Sequence, residues 1–153
     1  MKVIAVGNAF CGDDGVGAAV LERLAAGARA DEAPALDLVD LGTDALGLIE
    51  HFEPGRRHVV VDAARMGLAP GAVAAFRPDE VRARILGDGL SLHGLGLAEA
   101  FGLAARLGRM PADVLVIGVE PAQVALGTGL SDAVAAAVPR VVDIIQAEVL
   151  RHA

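Results

Sequence analysis

Residues 2–20 read KVIAVGNAFCGDDGVGAAV and predict the first strand and helix of an α/β fold. Residues 3–7 form a short apolar run that ends at a Gly-Asn pair, which is typical of a buried strand. Apolar residues then recur at helical spacing over residues 15–25. The two predicted elements are separated by a loop with the motif GDDG. The stretch therefore predicts a strand, an acidic glycine-rich loop and a helix in succession.

The same alternation of strand and helix patterns continues along the chain. Further strands are predicted at residues 36–40, 58–62, 71–77 and 114–119. Further helices are predicted at residues 44–49, 78–85, 97–107 and 132–150. Strands that alternate with helices form mostly parallel sheets covered on both faces. We expect a three-layer α/β fold with a mostly parallel five-stranded sheet flanked by helices on both faces, and a single domain over residues 1–153.

Composition and charge exclude several classes of function. The chain has 153 residues and a formal net charge of −7, so it lacks the excess of basic residues that neutralises nucleic-acid phosphates. No apolar run reaches the roughly 18–20 residues that span a bilayer. Cys11 is the single cysteine, which fits the reducing cytoplasm. We expect a cytoplasmic protein that binds neither nucleic acid nor a membrane.

Four polar residues are predicted to lie at the carboxyl edge of the sheet. Asp14 follows the first strand, Asp40 ends the second and Asp62 ends the third. Ligands of open α/β sheets bind at this edge, where neighbouring connections leave toward opposite faces. His93 lies in a glycine-rich segment that could fold over the same edge. The pattern predicts a site built from Asp14, Asp62 and His93, with Asp40 nearby.

The two adjacent aspartates after the first strand are assigned different roles. Asp13 is predicted to cap the following helix, because carboxylates accept hydrogen bonds from the free N–H groups at a helix start. Asp14 is predicted to bind a metal, since a cation would relieve the repulsion between neighbouring carboxylates. Together with Asp62 and His93 it forms a mixed oxygen and nitrogen set that suits Ni²⁺ or Zn²⁺ and leaves coordination positions open. Cys11 is expected to be a small buried thiol.

Three other kinds of site fit the sequence less well. A serine hydrolase is disfavoured, because Ser91 and Ser131 are the only serines and Ser131 is predicted to cap a helix. Ser91 lies two residues from His93, but no third member of a Ser-His-Asp triad is evident. A dinucleotide-binding turn needs the Gly-x-Gly-x-x-Gly spacing, and here Asp13 and Asp14 would repel the pyrophosphate. A phospho-receiver domain needs a lysine after the fifth strand, where Glu120 stands instead.

Five segments resemble motifs of one protein family. The sequence GNAFCGDDGVG at residues 7–17 resembles the Gly-Asn…Asp-Asp/Glu-Gly-x-Gly signature of the [NiFe]-hydrogenase maturation proteases. DLGT at residues 40–43, VDA at 61–63 and HGLGL at 93–97 follow in the order and approximate spacing of that family. IGVEP at residues 117–121 is similar to the strand and turn that come next. The resemblance covers nearly the whole chain.

The resemblance implies an endopeptidase that removes a C-terminal extension from the hydrogenase large-subunit precursor after nickel insertion. It implies that Asp14, Asp62 and His93 contact nickel, which arrives with the precursor and signals that insertion is complete. It also implies aspartic-type chemistry in which Asp14, Asp40 and Asp62 act at the cleaved bond, with water as the nucleophile. A nickel-dependent chaperone that binds the precursor without cutting it is the alternative left open.

Overall fold

A five-stranded sheet forms the centre of the residues that the computed structural model describes, namely 1–27, 36–86 and 96–152. Its strands are β1 Lys2–Ala5, β2 Asp37–Asp40, β3 His58–Ala63, β4 Val73–Phe76 and β5 Val114–Val119. Their order across the sheet is β2-β1-β3-β5-β4. β1 pairs in parallel with β2 and β3, and β3 pairs in parallel with β5, whereas β4 is antiparallel to β5. The predicted five-stranded, mostly parallel sheet is confirmed.

The direction of β4 follows from the short connection after β3. Residues 64–72 leave β3 at its carboxyl end and enter β4 at the same edge of the sheet, where Val73 pairs with Val119. A parallel strand would need a crossover of about a dozen or more residues back to the opposite edge. The apolar pattern predicted this strand but not its direction.

Helices flank the sheet in the described parts of the chain. They are α1 Val16–Gly27, α2 Leu48–His51, α3 Val81–Arg84, α4 Leu97–Arg106 and α5 Asp132–Arg151. Short 3-10 turns lead into the first three of them, at Gly12–Gly15, Ala45–Gly47 and Pro78–Glu80. No helix of these described segments combines the length and the hydropathy needed to cross a membrane.

Alternate residues of the central strands are buried on opposite faces of the sheet. In β3, Val59 and Val61 pack with residues of α1 and α5, whereas Val60 packs with residues of α2 and α4. All three side chains are fully buried. A central strand covered on both sides has to be apolar on both faces, which explains why three valines follow one another here. The predicted three-layer architecture is confirmed.

Two helix caps are present, one of them at the predicted Ser131, and the end of the first strand differs from the prediction. The Asp44 side chain accepts the N–H of Gly47 over 3.1 Å, and the Ser131 hydroxyl accepts the N–H of Val134 over 3.4 Å. The first strand ends at Ala5 rather than at Gly7, because Gly7 adopts a φ of +131° and turns the chain out of the sheet.

Candidate active site

The loops after β1 and β3 leave the carboxyl edge of the sheet toward opposite faces. The loop after β1 leads into α1, which packs on one face, whereas Met66, just beyond β3, packs on the other. Because β1 and β3 are neighbours, a crevice opens between the two connections, and such a switch point is where open α/β sheets bind ligands. Asp14 lies in the first of these connections, and Asp62 lies near the carboxyl end of β3, just before the second. The predicted convergence of the two residues on this edge follows from the topology.

Asp14 is held by a closed loop that starts at Gly7. Its carboxylate Oδ2 accepts the backbone N–H of Asn8 over 2.7 Å. A Cβ atom at Gly7 would lie 2.2 Å from the Asp14 carbonyl oxygen, so only glycine permits this approach. The short 3-10 turn Gly12–Gly15 then carries Asp14 to the start of α1. Asp14 is half-buried, and its carboxylate has a defined position at the edge of the sheet.

Asp62 lies near the carboxyl end of β3 and is affected by the charge of Asp14. Burial raises the pKa of Asp62 well above its ordinary value, and the negative charge of Asp14 raises it further. The backbone N–H of Ala63 opposes this rise only in part. The side chain nevertheless keeps some solvent exposure. Two carboxylates that repel each other in this way are stabilised when the pair takes up a proton or binds a cation.

Asp40 lies on the same edge but outside this pair. It ends β2, its side chain is exposed, and its Oδ1 accepts the N–H of Gly42 over 2.9 Å. β1 stands between β2 and β3 in the sheet, so the ends of those two strands are separated by about 9–10 Å. The structure therefore places Asp40 at the flank of the site, with its carboxylate hydrogen-bonded to its own loop.

His93, the predicted third metal ligand, lies outside the described residues, and its position stays a prediction. Within residues 1–27, 36–86 and 96–152, no group of three or more His, Cys, Asp and Glu side chains is arranged to hold a metal ion. Asp14 and Asp62 are the two predicted ligands that lie within the described residues, and their metal-binding role stays a prediction. Two carboxylate oxygens are suitable donors for a divalent cation, although they do not form a complete site by themselves.

The predicted helix-capping role of Asp13 is wrong. Its side chain is fully buried and accepts four hydrogen bonds from a distant part of the chain. The donors are the N–H groups of Ala122, Gln123 and Ser131 at 2.8, 3.0 and 2.7 Å, and the Ser131 hydroxyl at 2.9 Å. Capping preferences describe local contacts, so they gave no sign of partners that become neighbours only when the sheet closes.

The hydrogen bonds at Asp13 also determine its ionisation. Burial by itself would raise the pKa of this carboxyl group. The N–H groups of Gln123, Ser131 and Ala122, together with the Ser131 hydroxyl, outweigh that effect and bring the pKa below its ordinary value. Asp13 is therefore a buried anion that ties the loop after β1 to the connection between β5 and α5.

The same two loops are also joined through their backbones. Gly12 N donates to Thr128 O over 3.1 Å, and Asp13 N donates to Gln123 O over 2.9 Å. Gly12 has a φ of +54°, and a Cβ atom there would lie 2.9 Å from Gln123 O. Cys11, next to it, is buried as predicted. Sequence reasoning missed this junction, for which a glycine next to the aspartate pair is the only local signal.

Glu120 is a second buried carboxylate that sequence reasoning did not assign to this edge. It follows β5 directly and accepts the N–H of Met66 over 2.6 Å. Its backbone also pairs with the loop before β4, since Glu120 N donates to Ala72 O over 2.9 Å and Gly71 N donates to Glu120 O over 2.8 Å. Glu120 thereby orders the loop that follows Asp62. The position of Glu120 directly after an apolar central strand could have predicted its place at this edge.

Comparison with known proteins gives one consistent family. Residues 18–148 match the family model described as hydrogenase maturation protease. The hydrogenase expression/formation protein HupM of Azotobacter chroococcum mcd 1 is 33% identical over 121 residues, which are 79% of this chain and 57% of that protein. This chain thus spans little more than half the length of the curated relatives that it matches first.

Solved structures share the fold over nearly the whole chain. A hydrogenase maturating endopeptidase HybD from E. coli superimposes with a TM-score of 0.82 at 24% identity, covering 99% of this chain and 94% of that one. The [NiFe] hydrogenase maturation protease HybD from Thermococcus kodakarensis superimposes with a TM-score of 0.71 at 28% identity, covering 97% and 99%. The first match supports the fold, and the second supports the family as well.

Proposed function

Because this chain belongs to the hydrogenase maturation protease family, we propose that it is an endopeptidase that removes the C-terminal extension of a nickel-loaded [NiFe]-hydrogenase large-subunit precursor. The observation that carries the proposal is the pairing of Asp14 with Asp62 at the switch point of the sheet. Their mutual repulsion makes the crevice a place for a cation or a mobile proton. Both are needed for metal-triggered cleavage of a peptide bond.

In this proposal nickel belongs to the substrate. The precursor presents the ion, and the Asp14 and Asp62 carboxylates together with the His93 imidazole hold it against the edge of the sheet. This set of oxygen and nitrogen donors suits Ni²⁺. When bound, nickel supplies Lewis-acid polarisation of a carbonyl. The ion thereby reports that metal insertion is finished before the extension is removed.

The side chains of the protein supply orientation and proton transfer. The N–H of Asn8 holds Oδ2 of Asp14 in place. Asp62 is positioned to accept a proton from the attacking water and to return it to the leaving amine. Water adds to the scissile carbonyl, the C–N bond breaks, and the products are a carboxylate and an amine. Asp40, at the flank, contacts the substrate.

We also propose that the protein acts in the cytoplasm. Its single cysteine is consistent with a reducing compartment. The precursor is the macromolecular partner in this proposal. The net charge of −7 makes binding to nucleic acid unfavourable.

The test incubates the protein with nickel-loaded and with nickel-free precursor and measures intact masses. We expect loss of a C-terminal peptide from the loaded form alone. Asp14→Asn, Asp62→Asn and His93→Ala are expected to impair this cleavage, whereas Asp79→Asn, an exposed aspartate on a surface turn, serves as the matched control. Binding without any change in mass would identify a nickel-dependent chaperone instead. Normal processing by all three site variants would refute the assigned residues.

A further inference from the structure

Phe10 and Leu126 are large apolar side chains that lie in solvent near the candidate site. Phe10 is 76% exposed and Leu126 is 79% exposed. The chain has four phenylalanines, and the other three, Phe52, Phe76 and Phe101, are buried in the core. Large apolar side chains that remain exposed close together are typical of interaction surfaces. Phe10 therefore departs from the way this chain buries its aromatic residues.

The two side chains belong to separate loops that backbone contacts hold together. Gly127 N donates to Phe10 O over 2.8 Å, and Cys11 forms an antiparallel β-bridge with Leu126. The Asp13 carboxylate fixes the same two loops from inside the protein. The exposure of Phe10 and Leu126 is thus a property of an anchored surface, which is pre-organised for a partner.

The loop that carries Leu126 is free of charge. Residues 121–131 contain no Asp, Glu, Lys or Arg, although these residues make up 22% of the chain. Most of the loop is exposed. The centres of protein interfaces are depleted of charged residues in the same way. The surface therefore matches a neutral apolar polypeptide rather than a phosphate-bearing or strongly basic partner.

Phe10 is also connected to the candidate site through Asn8. The Asn8 side chain accepts the N–H of Phe10 over 2.9 Å, while the Asn8 backbone donates to Asp14. These two bonds lie within one loop, in which Phe10 precedes Asp14 by four residues. Phe10 and the Asp14 carboxylate are therefore carried by the same hydrogen-bonded loop.

We propose that Phe10 and Leu126 form a docking rim for an uncharged apolar segment of the large-subunit precursor that flanks the cleaved bond. This inference rests on the proposed function of the chain. A contact away from the reacting atoms stabilises the bound substrate and the transition state alike, so its loss raises KM and leaves kcat nearly unchanged.

The experiment compares two double variants with the wild-type protein. Phe10→Ala/Leu126→Ala removes the docking rim, and Leu107→Ala/Leu150→Ala is the matched control. The two control leucines are 57% and 78% exposed and lie at the carboxyl ends of α4 and α5. We expect the rim variant to weaken binding of nickel-loaded precursor, and to raise KM, by about tenfold to a hundredfold. The control variant should match wild type in binding, KM and kcat.

Binding is measured by biolayer interferometry, cleavage by intact mass, and self-association by sedimentation velocity. Unchanged binding and KM in the rim variant, with cleavage intact, would overturn the docking rim and leave the proposed peptidase standing. A wild-type dimer that the rim variant dissociates would assign the surface to a second copy of the chain instead. A lowered melting temperature accompanied by loss of kcat would indicate a structural role and would also overturn the rim. If the wild-type protein neither cleaves nor binds any large-subunit precursor of its source organism, the proposed function itself is refuted.

Discussion

Asp13 accepts two hydrogen bonds from Ser131, one from its backbone N–H at 2.7 Å and one from its hydroxyl at 2.9 Å. The two residues are 118 positions apart in the chain. Ser131 also caps α5, so a single serine joins the last helix to the loop that carries Asp14. The position of the candidate site therefore depends on a contact between the two ends of the fold.

Asp13→Asn is expected to lower the free energy of unfolding by about 2–4 kcal/mol. The asparagine amide group cannot accept the N–H bonds that one carboxylate oxygen now receives, and buried donors without an acceptor are costly. Urea denaturation at pH 7 measures the change. Asp79→Asn, at an exposed position, should stay within about 0.5 kcal/mol of wild type. Equal stability of the two variants would contradict the anchoring role of Asp13.

Asp62→Asn is expected to reduce cleavage by about 100-fold or more without loss of stability. Proton transfer by a positioned side chain is worth at least about that factor. The variant also removes the repulsion from Asp14 that raises the pKa of Asp62, so the free energy of unfolding is not expected to fall. Intact-mass kinetics and thermal melts test the two halves of the prediction. A variant that is both inactive and strongly destabilised would argue that Asp62 has a structural role.

Gly12→Ala is expected to destabilise the protein by about 1–3 kcal/mol and to impair cleavage. The residue adopts a φ of +54°, and the new Cβ atom would approach Gln123 O and Thr128 Oγ1 to 2.9 Å. The control is Gly129→Ala, because a Cβ atom there meets nothing within 4 Å. Chemical denaturation measures the free energy of unfolding of both variants. A Gly12→Ala protein as stable as the control would show that the loop after β1 and the loop between β5 and α5 need not approach so closely.

His58 should make the protein less stable as the pH falls below about 6.5. Burial lowers the pKa of this histidine in the folded state, with the nearby Lys2 charge acting in the same direction. Its Nε2 also accepts the N–H of Glu53 over 3.1 Å, which requires the neutral ring. Between the lowered pKa of the folded state and the ordinary pKa of about 6.5, the unfolded chain is protonated at His58 and the folded chain is not. The free energy of unfolding therefore rises with pH across this interval.

The measurement for His58 is urea denaturation between pH 5 and pH 8. One such group changes the free energy of unfolding by at most about 1.4 kcal/mol per pH unit. His58→Gln should flatten the profile between pH 5 and pH 6.5. A wild-type profile with the same slope as that of His58→Gln over this range would show that His58 titrates normally.

The candidate site could be predicted only where chain order and strand position sufficed. Asp14 and Asp62 each follow an apolar run, and the carboxyl ends of neighbouring parallel strands share one edge, so their approach was predictable. Asp40 is on that edge for the same reason, yet its distance from Asp62 depends on β1 standing between their strands. Which strands are neighbours is a property of the assembled sheet.

The layers of the fold were determined by the sequence itself, because hydrophobic periodicity is a local property. Three consecutive valines in β3 can be buried only if both faces of the sheet are covered. Tertiary structure alone decided the role of Asp13, since its partners lie 109 to 118 residues further along the chain. It also decided the raised pKa of Asp62, which depends on burial and on the separation of two charges. Hydrogen bonds and Coulomb interactions act over a few ångströms, and only the folded chain sets those distances.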